Sequence, residues 1–160
     1  VSMRTIAIGS DKSGYPLKEA VVDYLKGRGD IEILDFGLAS ADENSPYDEQ
    51  APKVVRAILE GNAERGVLIC GTGQGMAIVA NKFRGIYAVV ADTIFAAERG
   101  RIINNANILT MGGWITAPRL GTEIVDAYLA AEFTVKMDDR ADWLKAALAR
   151  VQAIEGANFR

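Results

Sequence analysis

The sequence predicts an α/β fold, a three-layer sandwich with a central parallel sheet and helices on both faces. Three observations predict it. Short β-branched apolar runs alternate with longer segments of helical period along the chain. Each run ends in turn residues, and no internal repeat, linker or low-complexity stretch interrupts the pattern. At 160 residues the chain suits one domain, taken as residues 3–160, and can bury a core without disulfides or metal.

The elements follow in order. "RTIAIGSD" (4–11) is a first strand and loop. Residues 15–29 form a helix, with Pro16 in its first turn, Leu17, Ala20, Val21, Tyr24 and Leu25 at helical spacing, and Gly27 or Gly29 closing it. "IEILDFG" (31–37) alternates apolar and polar residues, as a strand does. After a polar loop, 39–50, a helix covers 51–61 with Pro52 near its start. "RGVLIC" (65–70) is a buried strand and 75–82 the helix after it. Strand 86–92, helix 94–104 (weakened by Gly100), strand 106–113 and helix 118–133 complete the alternation. A last helix spans 140–155, and Asp138–Asp139 read as its start rather than as a metal site. Ligands bind such sheets at the carboxyl ends of the strands. The loops 9–14, 70–75 and 91–93 are therefore the candidates for chemistry.

Composition narrows that chemistry. A net charge of -3 gives no reason to expect nucleic acid or an anionic membrane as partner. With one cysteine and no histidine, an internal disulfide and a Cys/His zinc site are both impossible. No apolar run approaches a membrane span, and no leader of signal-peptide type is present, so the expected compartment is the cytoplasm.

The stretch "GVLICGTGQGM" (66–76) runs a strand into a glycine-studded loop, with Cys70 at the junction. Gly71, Gly73 and Gly75 permit close approach of a ligand to the backbone, and the helix start behind them favours an anion or an oxyanion. A dinucleotide fingerprint is G-x-G-x-x-G on the first βα turn. Here the first turn is "GSDKSG" and the later loop is G-x-G-x-G. A nucleotide P-loop would need a following Lys-Ser/Thr, which is missing. Loop amides and a helix start favour the thiolate form of a cysteine. A nucleophilic cysteine wants a histidine partner. Removing a carbon-bound proton beside a carbonyl needs only a base, an oxyanion cradle and acids to return protons. On spacing alone, catalytic base and buried core cysteine both remain open.

The segments "IAIGSDKSG", "LKEAVVDYL", "LDFG", "ERGVLICGTGQGMAIVANKFRGI", "NNANILTMGG" and "EIVDAYLAAEF" resemble the ribose-5-phosphate isomerase B / galactose-6-phosphate isomerase family, almost without gaps from Met3 to about Phe133. The resemblance implies a Rossmann-like fold. It implies aldose–ketose isomerisation of a sugar phosphate through an enediol, without metal or cofactor. It also implies a homodimer or homotetramer with active sites between subunits, embraced by the C-terminal helix, where Leu144, Ala147, Leu148, Val151 and Ile154 share a face. Carried over by position, Cys70 matches the catalytic base and Thr72 the hydroxyl of its loop. Gly71, Gly73, Gln74 and Gly75 supply the cradle's backbone. Asp11, Tyr47 and Asn104 match substrate contacts, with Tyr47 in the loop after the second strand. Arg140 falls in register with a phosphate-binding arginine, and Lys136 lies near another.

Three departures stand beside the matches. Ile103 replaces the histidine that opens the sugar ring, and Ile103 cannot donate or accept a proton. Lys12 replaces the first loop's histidine and suits a phosphate as a point charge, or is a solvated loop lysine. Trp114 stands in the place of an arginine, either walling off a smaller pocket or serving as a core or interface aromatic. Arg99 and Arg101 either reach phosphate or are ordinary helix arginines. With Cys70 and its loop intact, Ile103 points to a substrate too short to close a ring, such as erythrose or erythrulose 4-phosphate. Alternatives are ribose 5-phosphate, one subunit of a two-component galactose-6-phosphate isomerase, or a binding protein without catalysis.

Overall fold

The structure is a computed structural model that describes residues 3–159; Arg160, the last residue of the expected domain, lies outside the described residues. Strand β1 (Arg4–Ser10) leads into α1 (Tyr15–Arg28), β2 (Ile31–Asp35) and α2 (Tyr47–Leu59). Strand β3 (Arg65–Cys70) and α3 (Gln74–Ala80) follow, then β4 (Ala88–Val90) and α4 (Ile94–Asn104). Strand β5 (Ile108–Gly112), α5 (Pro118–Ala130), a 3-10 turn (Asp138–Arg140) and α6 (Ala141–Asn158) end the chain. The strands lie in the order β2-β1-β3-β5-β4, all parallel.

Alternation along the central strands fills two cores. Ile6, Ile8, Val67 and Ile69 face one way, onto Leu17 and Val21 of α1 and Ile124 and Val125 of α5. Ala7, Leu68 and Cys70 face the other, onto Val54 and Val55 of α2 and Met76 of α3. Every residue of β3 is buried, the apolar run 66–70 as a central strand requires and Arg65 at its start as well. Cys70 thus enters its cleft from the α2/α3 side.

Several boundaries move for local reasons. Helix α2 starts at Tyr47 rather than residue 51, with Pro46 extended at its cap and Asp48 and Glu49 in its first turn, so Pro52 sits inside the helix. Strand β2 stops at Asp35, whose carboxylate turns the chain by accepting the Gly37 N–H at 2.9 Å. Strand β4 is short because side-chain amides take over its flanks. Asn81 Oδ1 accepts the Ala88 N–H at 2.8 Å and its Nδ2 donates to the Ala88 carbonyl at 2.9 Å, while Asn107 Oδ1 accepts the Tyr87 N–H at 2.8 Å. Gly29, at φ 75°, closes α1. Gly100 weakens α4 in isolation, yet a Cβ there would meet Val89 at 2.9 Å, so its absence lets α4 settle on β4.

Candidate active site

The chain reverses direction across the sheet between β1 and β3, the switch point where open α/β sheets hold ligands. Loop 11–14 after β1 and loop 70–75 after β3 meet there, as their sequence suggested. Loop 91–93 does not join them; Thr93 caps α4, its hydroxyl accepting the Ala96 N–H at 3.1 Å. The third wall is the 112–114 turn after β5. The Gly113 N–H donates to the Cys70 carbonyl at 2.8 Å, and the Trp114 N–H to the Gly71 carbonyl at 3.0 Å. On the other side, the Asp11 N–H donates to the Ile69 carbonyl at 3.2 Å.

Inside this knot Cys70 is buried, 4% exposed, and its Sγ accepts the Gly73 N–H at 3.1 Å. A backbone donor is thus aimed at the sulfur. Asp11 Oδ1 accepts the Gly14 N–H at 3.0 Å, and among the described residues its Oδ2 takes no protein hydrogen bond. Thr72 Oγ1 accepts the Gln74 N–H at 3.4 Å, and the Gln74 side chain is exposed. An open cleft of about 220 Å³ brings Asp11, Tyr47, Cys70, Gly71, Thr72 and Gly75 together, with Ser13 and Trp114 completing its walls. Lys12 stands exposed between two lining residues, without an ion pair among the described residues.

Each glycine of the loop also has a reason within the chain itself. A Cβ on Gly71 would meet the Trp114 indole at 2.8 Å, and one on Gly75 would meet the Tyr47 ring at 3.0 Å. Gly73 adopts φ 79° against the Met111 backbone. The helix behind the loop, α3, has only seven residues. Tyr47, placed in a loop by the sequence reading, opens α2 instead and is thereby held against Gly75.

Three expected substrate residues stand elsewhere in this chain. Asn104 and Ile103 line a separate, mostly apolar groove of about 320 Å³ beneath α6, with Tyr87, Trp143 and Leu148. Lys136 reaches Glu98 at 2.8 Å and holds that carboxyl below its ordinary range. Arg140 lies exposed beside Trp143, its nearest carboxylate Asp139 at 3.8 Å. Arg101 joins Glu132 at the amino end of the sheet, opposite Cys70, while Arg99 lies over the Phe95 ring at 5.0 Å. Sequence reasoning passed over Lys18, which is 1% exposed yet bonds Asp35 at 2.7 Å and the Leu38 carbonyl at 3.1 Å. It fastens the loop that leads from β2 to Tyr47. A lysine on the apolar stripe beside Leu17 and Val21 was the available signal. No group of three acidic, thiol or imidazole side chains able to hold a metal occurs among the described residues. No helix among them is long and apolar enough to cross a membrane.

The family model described as Ribose/Galactose Isomerase matches residues 6–144. The chain belongs to the ribose/galactose isomerase family. It is a sugar isomerase of the aldose–ketose kind. The chain is 49% identical over 156 residues to the 4-deoxy-4-sulfo-D-erythrose isomerase of Clostridium sp. (strain MSTE9), covering 97% of this chain and 98% of that one. It is 40% identical to the D-erythrulose-4-phosphate isomerase of Pectobacterium atrosepticum, over 82% of this chain and 86% of that one. The solved ribose-5-phosphate isomerase B of Clostridium thermocellum superposes with a TM-score of 0.88 at 37% identity, covering 96% and 98% of the two chains. The five-stranded parallel sheet between helical layers is the fold of this isomerase family.

Proposed function

We propose that this isomerase interconverts the aldose and ketose forms of a four-carbon sugar carrying an anionic group, phosphate or sulfonate, on C4. The observation that carries the reading is a cleft equipped for proton transfer, with Cys70, Asp11 and Thr72, in a chain that has only a hydrocarbon at Ile103. With C4 esterified or bonded to sulfur, no hydroxyl remains that can close a five-membered ring. The sugar stays open-chain, and no group is needed to open it. The two relatives named above for four-carbon sugars support this reading.

In this mechanism Cys70, as thiolate, takes the C2 proton of the aldose and the electron pair moves toward O1, giving a 1,2-enediolate. Thr72 and the loop amides that are not already bonded to Cys70 Sγ or Thr72 Oγ1 face the developing charge. The thiol returns its proton to C1, while the O2 proton passes to O1 and the C2 carbonyl forms. Asp11 and Tyr47 orient the sugar hydroxyls. Lys12, together with Lys136, Arg140 and Asn104 of a neighbouring copy in a homodimer or homotetramer, holds the anion and the far hydroxyls. Trp143, Val151 and Ile154 standing exposed on α6 support such an assembly. A lone cysteine working as a thiol fits the reducing cytoplasm.

The test follows deuterium uptake and product by NMR in heavy water. The sugars are erythrulose 4-phosphate, its 4-deoxy-4-sulfo counterpart and ribose 5-phosphate. Turnover of a four-carbon sugar is expected, with ribose 5-phosphate untouched. Cys70→Ala lowers kcat by about 10²–10⁴-fold without loss of fold. Comparable turnover of ribose 5-phosphate, or exchange that survives Cys70→Ala, overturns the reading.

A further inference from the structure

We infer that Trp114 sets the length of sugar that this enzyme accepts, an inference that rests on the isomerase reading of the Cys70 cleft. Trp114 is 75% exposed, more than any other large apolar side chain among the described residues. An indole left in water gains little from core packing, yet the backbone that carries this one is fixed at the cleft. The main-chain N–H of Trp114 donates to the Gly71 carbonyl at 3.0 Å, and that of Gly113 donates to the carbonyl of Cys70 itself at 2.8 Å. The ring lies so close over Gly71 that a Cβ there would meet three indole carbons at 2.8–2.9 Å. Both Gly71 and the indole line the cleft.

Tyr47 mirrors this arrangement at the other end of the loop, 42% exposed and laid against Gly75. The thiol's cleft is therefore framed by two aromatic walls seated on the two outer glycines of one loop. The backbone at the root of the Trp114 wall is tied by hydrogen bonds to Cys70 and Gly71, so the wall is anchored at a fixed place relative to the thiol. A sugar that is positioned for proton transfer at Cys70 and longer by one carbon meets that wall. In a shaped pocket one such carbon changes kcat/KM by about 10–200-fold.

Length can be separated from ring opening by the choice of substrate. Ribulose 5-phosphate has its carbonyl at C2 and its O5 esterified, so it is open-chain, as erythrulose 4-phosphate is. Comparing these two ketoses leaves chain length as the variable, whatever stands at position 103. The measurement is kcat/KM for both ketoses, or for the matched sulfonate pair, with the unaltered protein, Trp114→Ala and Trp114→Phe. The expected result is a preference of about tenfold or more for the four-carbon ketose in the unaltered protein. Trp114→Ala shifts the ratio toward the five-carbon ketose by about tenfold or more, and Trp114→Phe by less. Because the ring is exposed, the thermal midpoints of the variants stay with that of the unaltered protein. An unchanged ratio in Trp114→Ala, beside four-carbon turnover, overturns the role of Trp114 alone. Failure of the unaltered protein to turn over either four-carbon ketose overturns the functional reading and this inference with it.

Discussion

Gly14 stands where α1 comes against the end of β3. A Cβ there would lie 2.9 Å from the Cys70 nitrogen and closer still to the Ile69 carbonyl. Those neighbours are backbone atoms of a fully buried central strand, so nothing flexible can give way. Gly14→Ala is therefore expected to cost more than about 3 kcal/mol in urea unfolding. Activity of the folded fraction should fall as well, since the strand end carrying Cys70 must shift. A variant of unchanged stability would show that α1 can slide on the sheet. Lys18 belongs to the same scale. Burial works against its ammonium, but hydrogen bonds to Asp35 and Glu19 outweigh that cost and raise its pKa above the ordinary lysine value.

Between elements, a charged clamp joins the amino ends of β1 and β3 to the end of α5. Arg65, 1% exposed, donates to the carbonyls of Tyr128, Leu129 and Ala131 at 2.9, 3.1 and 3.0 Å. These are groups that a helix end leaves unpaired. Glu132 receives Arg65 at 2.5 Å, Arg4 at 2.9 Å and Arg101 at 3.3 Å. Burial alone would raise the Glu132 pKa, but the charge of Arg65 and the hydrogen bonds from Arg101 and Arg65 pull it below the ordinary value. Glu64 is lowered too, chiefly by its hydrogen bond from Arg4. A carboxyl depressed in the folded state lends stability that is present above its unfolded pKa, about 4.3, and lost as pH falls through the folded value. The urea midpoint should hold steady near neutral pH and decline below about pH 4.3. Glu132→Gln should cost about 2 kcal/mol near neutral pH and make the acid decline shallower. A decline just as steep in Glu132→Gln would assign the acid sensitivity to other groups.

At the scale of the whole molecule, α6 rests lightly on its own chain. Only Leu144 of its eighteen residues is fully buried, and Glu155 ties it down by accepting the Gly85 N–H at 2.8 Å and the Tyr87 hydroxyl at 3.1 Å. Asn104 lies in the groove under this helix, apart from the Cys70 cleft. If a neighbouring copy completes the site, Cys70→Ala and Asn104→Ala chains are each weakly active alone. Mixed and reassociated, they should regain activity, because one hybrid site contains both intact residues. No gain on mixing, with hybrids shown to form by mass spectrometry, would place Asn104 outside the reaction.

Much of the fold was legible in the sequence. The limits of β3 and α4 could be read to the residue, since "RGVLIC" is a pure strand run and Thr93 a ready helix cap. The start of α2 and the ends of β4 could not. Pro46 and Pro52 both look like helix openers, and the Asn81 and Asn107 amides that trim β4 act from outside the strand. In the same way loop chemistry at a strand end singles out Cys70 and its glycines, whereas Thr72, Asp11 and Tyr47 are named only through the family resemblance. The sequence could not say why the glycines stand where they do. Gly71 and Gly75 answer to Trp114 and Tyr47, rings that lie 43 and 28 residues away along the chain and meet the loop only when β5 and α2 pack beside β3. Local pattern determined the elements and the thiol. Tertiary packing alone decided the shape of the cleft, since close contacts between distant residues leave no periodicity to read.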